Sequence, residues 1–354
     1  MDAKKNSIIV WRIIFTYMIL FYHFDNKYLI TYDFKGNIGW YIAVEFFFIV
    51  SGYLLYTGIG KLSETCHSGW DYFVYRYKKI YPFYLGAFLF SFIMYSIVTN
   101  SATIGAMMKV LSYNFFEVLA MHGIGLDVGW SHINNTSWYV SIMLIAGLII
   151  YHCLIKWKDT FVNFVAPLII IVSFSYLYRN MGGIGAVVQI SGLYNHQALM
   201  RGLSGMCLGI FAARLTEYIK KECKRTSWIR ISGLLGFLFV ILASFVFGNS
   251  TRDFLYALIL TVCVGIGFLP SESKFLQNKF IQYWSGITLS IYLLHDAFRT
   301  FIFPNYVGIP ETLPMKLVYA LLYMIVVTVS AMIFDAIIKW LVKKGKALLI
   351  RSVS

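Results

Sequence analysis

Ile8 to Phe24 read IIVWRIIFTYMILFYHF, a run apolar on nearly every side into which Arg12 and His23 are set. A stretch of roughly 17 to 25 such residues, wound at 1.5 Å per residue, spans the hydrocarbon core of a bilayer. The stretch therefore predicts a membrane-crossing helix. Ionisable side chains inside such a helix mark a working site. Eleven steps of about 100° return His23 to within roughly 20° of Arg12, at about 16.5 Å along the axis. Both residues then face one cleft, with a cation near one end and an imidazole near the other. That spacing suits an elongated, phosphate-tailed donor whose far end is acted on, and so points to group transfer across a membrane.

Composition extends the reading to the whole chain. Of 354 residues, 59% are hydrophobic, 18% aromatic and only 13% charged, beyond what a soluble globular domain needs. The expected fold is an all-α, polytopic membrane bundle filling residues 1–354 as one domain. Apolar runs predict ten spans, near 8–24, 38–60, 79–98, 138–155, 161–178, 197–215, 231–247, 254–270, 281–302 and 314–338. The formal charge of +14 is compatible with nucleic acid, anionic lipid or topology alone, and the placement of the charges decides for topology. With the amino terminus cytoplasmic, alternate loops carry Lys61, Arg76, Lys78, Lys79, Lys156, Lys158 and the block from Lys220 to Arg230, so that 22 of the 30 basic residues fall inside. Both termini are then cytoplasmic by the positive-inside rule, and no nucleic-acid partner is expected.

The stretch 104–122, IGAMMKVLSYNFFEVLAMH, is apolar enough for a further crossing, but a crossing there would invert every later loop. It is read as an outer-face or re-entrant helix. The loop after it, GIGLDVGWSHINNTSW, is either a surface for a polar ligand or a connector. A cleaved signal peptide is disfavoured by Arg12, His23 and the lack of an A-x-A-like site. The cysteines at 66, 153, 207, 223 and 263 have no metal-like spacing, so neither disulfides nor a bound metal is expected.

Other polar residues lie within the spans. Glu45, in the outer third of span two, either shares a depth with His23 and orients its imidazole or neutralises a buried cation such as Arg12 or Arg201. Arg76 and Lys79, three apart in FVYRYKKIYP, share a helix face; they bind phosphate or merely anchor the span. Arg201 sits among small residues in RGLSGMCLG, as an internal cation or an interfacial one. His295, beside Asp296 in LSIYLLHDAF, is a candidate for supporting the site or for bonding between helices.

These elements together resemble a bacterial integral-membrane family, acyltransferase family 3. Arg12 and His23 match its Arg-x10-His signature, and VEFFFIVSGY, with Glu45, Ser51 and Gly52, matches its V-[DE]-x-FF-x-x-SG-[FY] element. RYKKIYP matches R-x-x-R-[IL]-x-P with Lys79 in place of the second arginine, which removes a planar, bidentate phosphate contact. Trp138 leads the family's tryptophan segment, although Ile142 and Met143 stand where many members carry a glutamate. RGLSGMCLG and LSIYLLH complete the set with Arg201 and His295.

The resemblance implies transfer of an acetyl or other short acyl group from acyl-CoA to a hydroxyl of a cell-surface or lipid-linked glycan, in the bacterial cytoplasmic membrane. It assigns His23 and Glu45 to catalysis, Arg12, Arg76 and Lys79 to acetyl-CoA or another acyl-CoA, and Ser51, Trp138, Arg201 and His295 to substrate binding or support. No metal is implied. His23 is expected to act as general base, with an acyl-histidine route also open, and Ser51 is either an oxyanion donor or a packing residue. Expected partners are the glycan acceptor, the lipid bilayer and a separate extracytoplasmic acyl-delivery protein, since the chain ends just after span ten. The competing classes are a transporter or flippase of glycan precursors, which predicts an internal repeat that the sequence lacks, and an inert membrane binder of acyl-CoA or polyprenyl glycan.

Overall fold

The computed structural model describes residues 6–28, 38–99, 103–124, 133–185, 196–223, 226–248 and 250–353. The chain is an all-α polytopic bundle. It opens with α1 (Ile8–Tyr28), α2 (Ala43–Ser63) and α3 (Gly69–Val98), followed by the short α4 (Ile104–Tyr113) and α5 (Phe115–Val118). Next come α6 (Trp138–Thr160), α7 (Ala166–Met181), α8 (His196–Glu222), α9 (Ser227–Val246) and α10 (Arg252–Gly267). Three short helices, α11 (Lys274–Gln277), α12 (Lys279–Gly286) and α13 (Thr288–Ala297), precede the long α14 (Leu313–Val353).

Among the described residues, seven helical stretches are long and apolar enough to cross a membrane. One of them, Asn135–Met181, covers 47 residues and doubles back. Trp157 leaves helical dihedrals (φ −140°, ψ 48°). The Tyr151 hydroxyl bonds the Cys66 carbonyl at 2.6 Å at one end of the bundle. After the reversal, the Ile184 amide reaches Asp253 at 3.0 Å at the other end. Two of the predicted spans thus form one hairpin.

Two boundaries differ from the sequence reading. α3 begins ten residues before the predicted position, at Gly69. Ser68 caps it by accepting from the Asp71 amide at 3.1 Å, and Asp71 accepts in turn from the His67 amide at 3.0 Å. This cap carries the polar stretch with Arg76 and Lys79 into the helix. The predicted ninth span is broken, with α12 ending at Gly286, α13 starting at Thr288 and a π-helical turn continuing over Phe298–Val307. The 104–122 segment forms α4, which buries none of its residues, and the single-turn α5. Residues 125–132 of the aromatic loop after it lie outside the described residues.

The tightest contact in the bundle joins α2 to α8, and two glycines cause it. A Cβ on Gly52 would lie 1.9 Å from the Met206 carbonyl oxygen, and one on Gly209 would lie 2.2 Å from that of Ile49. Only glycine permits backbones this close, which is how small residues knit helices in lipid. Aromatic stacking fills the space between α1, α2 and α9, with Phe15 on Phe46 and Trp11 on Phe237, each pair at 4.2 Å. The outward faces are apolar as well, with Ile171, Leu235, Leu242, Leu321 and Ile325 exposed. Water would not tolerate that surface; a bilayer requires it.

The two ends of the bundle differ. At one, Ser7 bonds Gly267, Tyr53 stacks on Phe268, and Thr216 bonds Gly265. This brings the start of α1 together with the ends of α2, α8 and α10, and with them Lys61, Lys220 and Lys221. It is the basic face. The opposite face gathers Tyr41, Asp253, Ile184, Trp138 and the far end of α1.

Candidate active site

α1 supplies the axis of the site. Arg12, Thr16, Ile19 and His23 recur at helical spacing and lie along one face. The first three line a cavity of about 310 Å³ together with residues of α2, α3, α6 and α13. Arg12 Nη2 donates to Thr288 Oγ1 at 3.2 Å, and Thr288 Oγ1 donates to the Ser285 carbonyl at 2.9 Å. Since even a half-buried guanidinium needs partners, α13 in effect holds Arg12 against the cavity wall.

A second cavity of about 420 Å³ continues toward the basic face, past Lys61, Glu64, Thr65 and Tyr75. Ser51, Leu54 and Arg76 line both. The two compartments therefore meet at these residues and form one passage. Lys79 does not line it. Its ammonium donates to the Tyr75 hydroxyl at 2.5 Å and lies 4.1 Å from that ring's centre, placing a cation beside the mouth. Ser51 Oγ and the Tyr139 hydroxyl are 3.1 Å apart. Ser51 is thus set at the junction of the compartments and bonded to Tyr139, not beside His23.

The far end of the passage is apolar and aromatic, lined by Ile19, Val44, Tyr139 and Tyr292. His23 lies one helical turn beyond Ile19, about 6 Å along the axis. Its ring centre is 5.2 Å from that of His295 and 5.3 Å from that of Tyr22. His295 is fully buried, its Nδ1 donates to the Tyr292 carbonyl, and its Nε2 has no hydrogen-bond partner among the described residues. Asp296 accepts from Arg299 Nε at 3.0 Å and Nη2 at 2.5 Å, while Arg299 Nη1 donates to the His23 carbonyl at 3.4 Å.

Glu45 does not orient His23. Arg201 donates to its two carboxylate oxygens from Nε at 2.6 Å and Nη2 at 2.8 Å, and both side chains are buried. The close α2–α8 crossing places these residues opposite each other, so the acid neutralises a cation on the neighbouring helix. The Arg201 guanidinium carbon lies 5.2 Å from the Trp138 ring centre, a cation–π contact that braces the pair.

The site divides into three groups. Arg12, Ser51 and Arg76 share the passage, with Lys79 at its mouth; Glu45, Arg201 and Trp138 form a structural triad; His23 and His295 face each other beyond the passage. Four residues escaped the sequence reading. Thr288 and Tyr292 recur with His295 at helical spacing on α13, Tyr139 follows Trp138 directly, and Arg299 follows Asp296 by three positions, all visible as polar groups within apolar runs. Among the described residues, no group of three or more His, Cys, Asp or Glu is placed to hold a metal ion.

The passage is basic at one end and apolar at the other, and it ends one turn from paired imidazoles. The family model described as an acyltransferase domain matches residues 5–336. The chain belongs to this acyltransferase family. No curated protein and no solved structure matches it. This acyltransferase keeps its imidazole pair beyond the far end of a passage that begins among basic residues.

Proposed function

We propose that this membrane acyltransferase takes a short acyl group, acetyl or similar, from acyl-CoA at its basic face and passes it to a sugar hydroxyl of a glycan at the opposite face. The basic face is cytoplasmic in this reading, and the membrane is the bacterial cytoplasmic membrane. The observation that carries the proposal is the passage itself, with Arg76 at its waist and Arg12 deeper in, leading toward His23. Nucleotide phosphates would rest near Lys61, Arg76 and Lys79. The pantetheine arm would lie along Ser51, Leu54 and Tyr139, with Arg12 meeting its polar atoms. The thioester would come to rest by Ile19 and Tyr292, one turn from His23.

His23 acts as the general base in this scheme. The acceptor oxygen attacks the thioester carbonyl carbon while its proton passes to His23; the carbon–sulfur bond breaks, and the thiolate leaves with the proton. Such assistance is typically worth about 10² to 10⁴ in rate. Glu45 and Arg201 hold α2 against α8 and contribute only through the shape of the passage.

The test is labelling of glycan in inside-out membrane vesicles. Vesicles containing the protein, supplied with radiolabelled acetyl-CoA, should accumulate alkali-labile label on glycan, and mass spectrometry of surface glycans should show the same groups lost in cells lacking the protein. Unlabelled vesicles and unchanged glycans would refute the proposal and return the flippase reading.

A further inference from the structure

His295 has a buried nitrogen with no hydrogen-bond partner among the described residues. Its Nδ1 donates to the Tyr292 carbonyl, and a carbonyl can only accept. In the neutral ring, Nε2 therefore bears the lone pair. That lone pair is buried and, among the described residues, unpartnered, which is costly when permanent. A buried unsatisfied group calls for an explanation, and a catalytic role is one that fits a group facing His23.

The surroundings identify the partner. Asp296, next in sequence, accepts from Arg299 Nε and Nη2 and from Thr300 Oγ1, all at Oδ1, and among the described residues it makes no hydrogen bond to the His295 ring. The Tyr323 hydroxyl donates to the His295 backbone carbonyl at 3.0 Å and leaves the ring untouched. The Tyr292 hydroxyl donates away, to the Thr136 carbonyl. The titratable groups around the ring are then His23, Tyr292, Tyr323 and the Asp296–Arg299 pair, and of these only His23 cycles between protonated and neutral in the proposed reaction. The two imidazole centres are 5.2 Å apart with their planes inclined by 38°.

We infer that His295 is a proton-relay residue that receives, at Nε2, the proton His23 removes from the acceptor hydroxyl. As the acceptor oxygen bonds to the acyl carbon, its proton moves to His23 and on to His295. When the carbon–sulfur bond breaks, the proton returns through His23 to the departing thiolate, so nothing is gained or lost over the cycle. The inference rests on His23 being the base.

The test compares wild type, His295→Asn and His23→Ala in vesicles supplied with radiolabelled acetyl-CoA, in mixtures of light and heavy water. Asparagine reproduces the Nδ1 donor to Tyr292 and deletes the Nε2 acceptor. Turnover should fall at least about 10-fold, with the KM for acetyl-CoA unchanged. The wild-type rate should depend on deuterium fraction along a curve, for two protons in flight, and the variant's along a straight line. Where the asparagine variant fails to accumulate in the membrane, His295→Gln carries the same expectations. Turnover within twofold of wild type, a fall expressed in KM, or equal isotope dependences in both proteins would overturn the inference. His23→Ala separates the two failures: a fully active His23→Ala variant, or wild-type vesicles that take no label, refutes the underlying reading instead.

Discussion

Arg201 grips Glu45 through both carboxylate oxygens, at 2.6 and 2.8 Å, across the helix pair whose backbones approach most closely. The pair is buried on both sides and does not itself line the passage. Removing one partner leaves an uncompensated charge in a dry interior, whereas replacing both removes the problem together with the pair. Glu45→Ala and Arg201→Ala should each destabilise the protein by about 3–5 kcal/mol, while Glu45→Leu combined with Arg201→Met should recover most of that loss. Thermal unfolding in detergent measures all three. Single variants as stable as wild type would show that the pair is not a structural brace.

Arg12 is the cation deepest in the passage, fixed by Thr288. A hydrogen bond from a charged group is worth about 1.5–3 kcal/mol, so Arg12→Ala should raise the KM for acyl-CoA about 10- to 100-fold and lower kcat less. Arg12→Lys should recover part of the affinity, since the charge returns without the planar fork. Steady-state kinetics over acyl-CoA concentration separates the two constants. A loss confined to kcat would place Arg12 at the reacting atoms rather than on the donor's path.

Glu117 lies on α5, outside the membrane-spanning helices. Burial pushes its carboxyl up from 4.5 to about 7, against the pull of the Ile133 and Asn134 amides that donate to it. A carboxyl whose folded-state pKa is raised binds its proton more tightly folded than unfolded. Its contribution to stability is therefore present in full below about 4.5 and is lost as the pH rises to about 7. Between pH 5 and pH 8, by thermal melts, wild type should lose up to about 3 kcal/mol relative to Glu117→Gln. Parallel melting profiles for the two proteins would contradict this.

Much of the fold was legible because a bilayer imposes one rule: the backbone must satisfy itself, and the segments that do so in lipid are apolar helices. Arg12 and His23 stood out for the same reason, as charges where charge is costly. Pairing was not legible. Glu45 had three candidate partners, His23, Arg12 and Arg201, and the choice of Arg201 follows from the α2–α8 crossing set by Gly52 and Gly209, a contact between residues more than 150 positions apart. Ser51 likewise faces Tyr139 because α6 packs there, which its own helix does not determine. The boundary errors were local: a serine–aspartate cap lengthened α3, and the break after Gly286 divided a run whose hydropathy is continuous.

The central claim is that acyl-CoA binds along the passage and its acyl group is handed on at His23. The direct measurement is acyl-CoA affinity and glycan labelling of His23→Ala, side by side with wild type. Affinity within about twofold of wild type, with labelling reduced at least about 100-fold, is the predicted result. Labelling at the wild-type rate would contradict it.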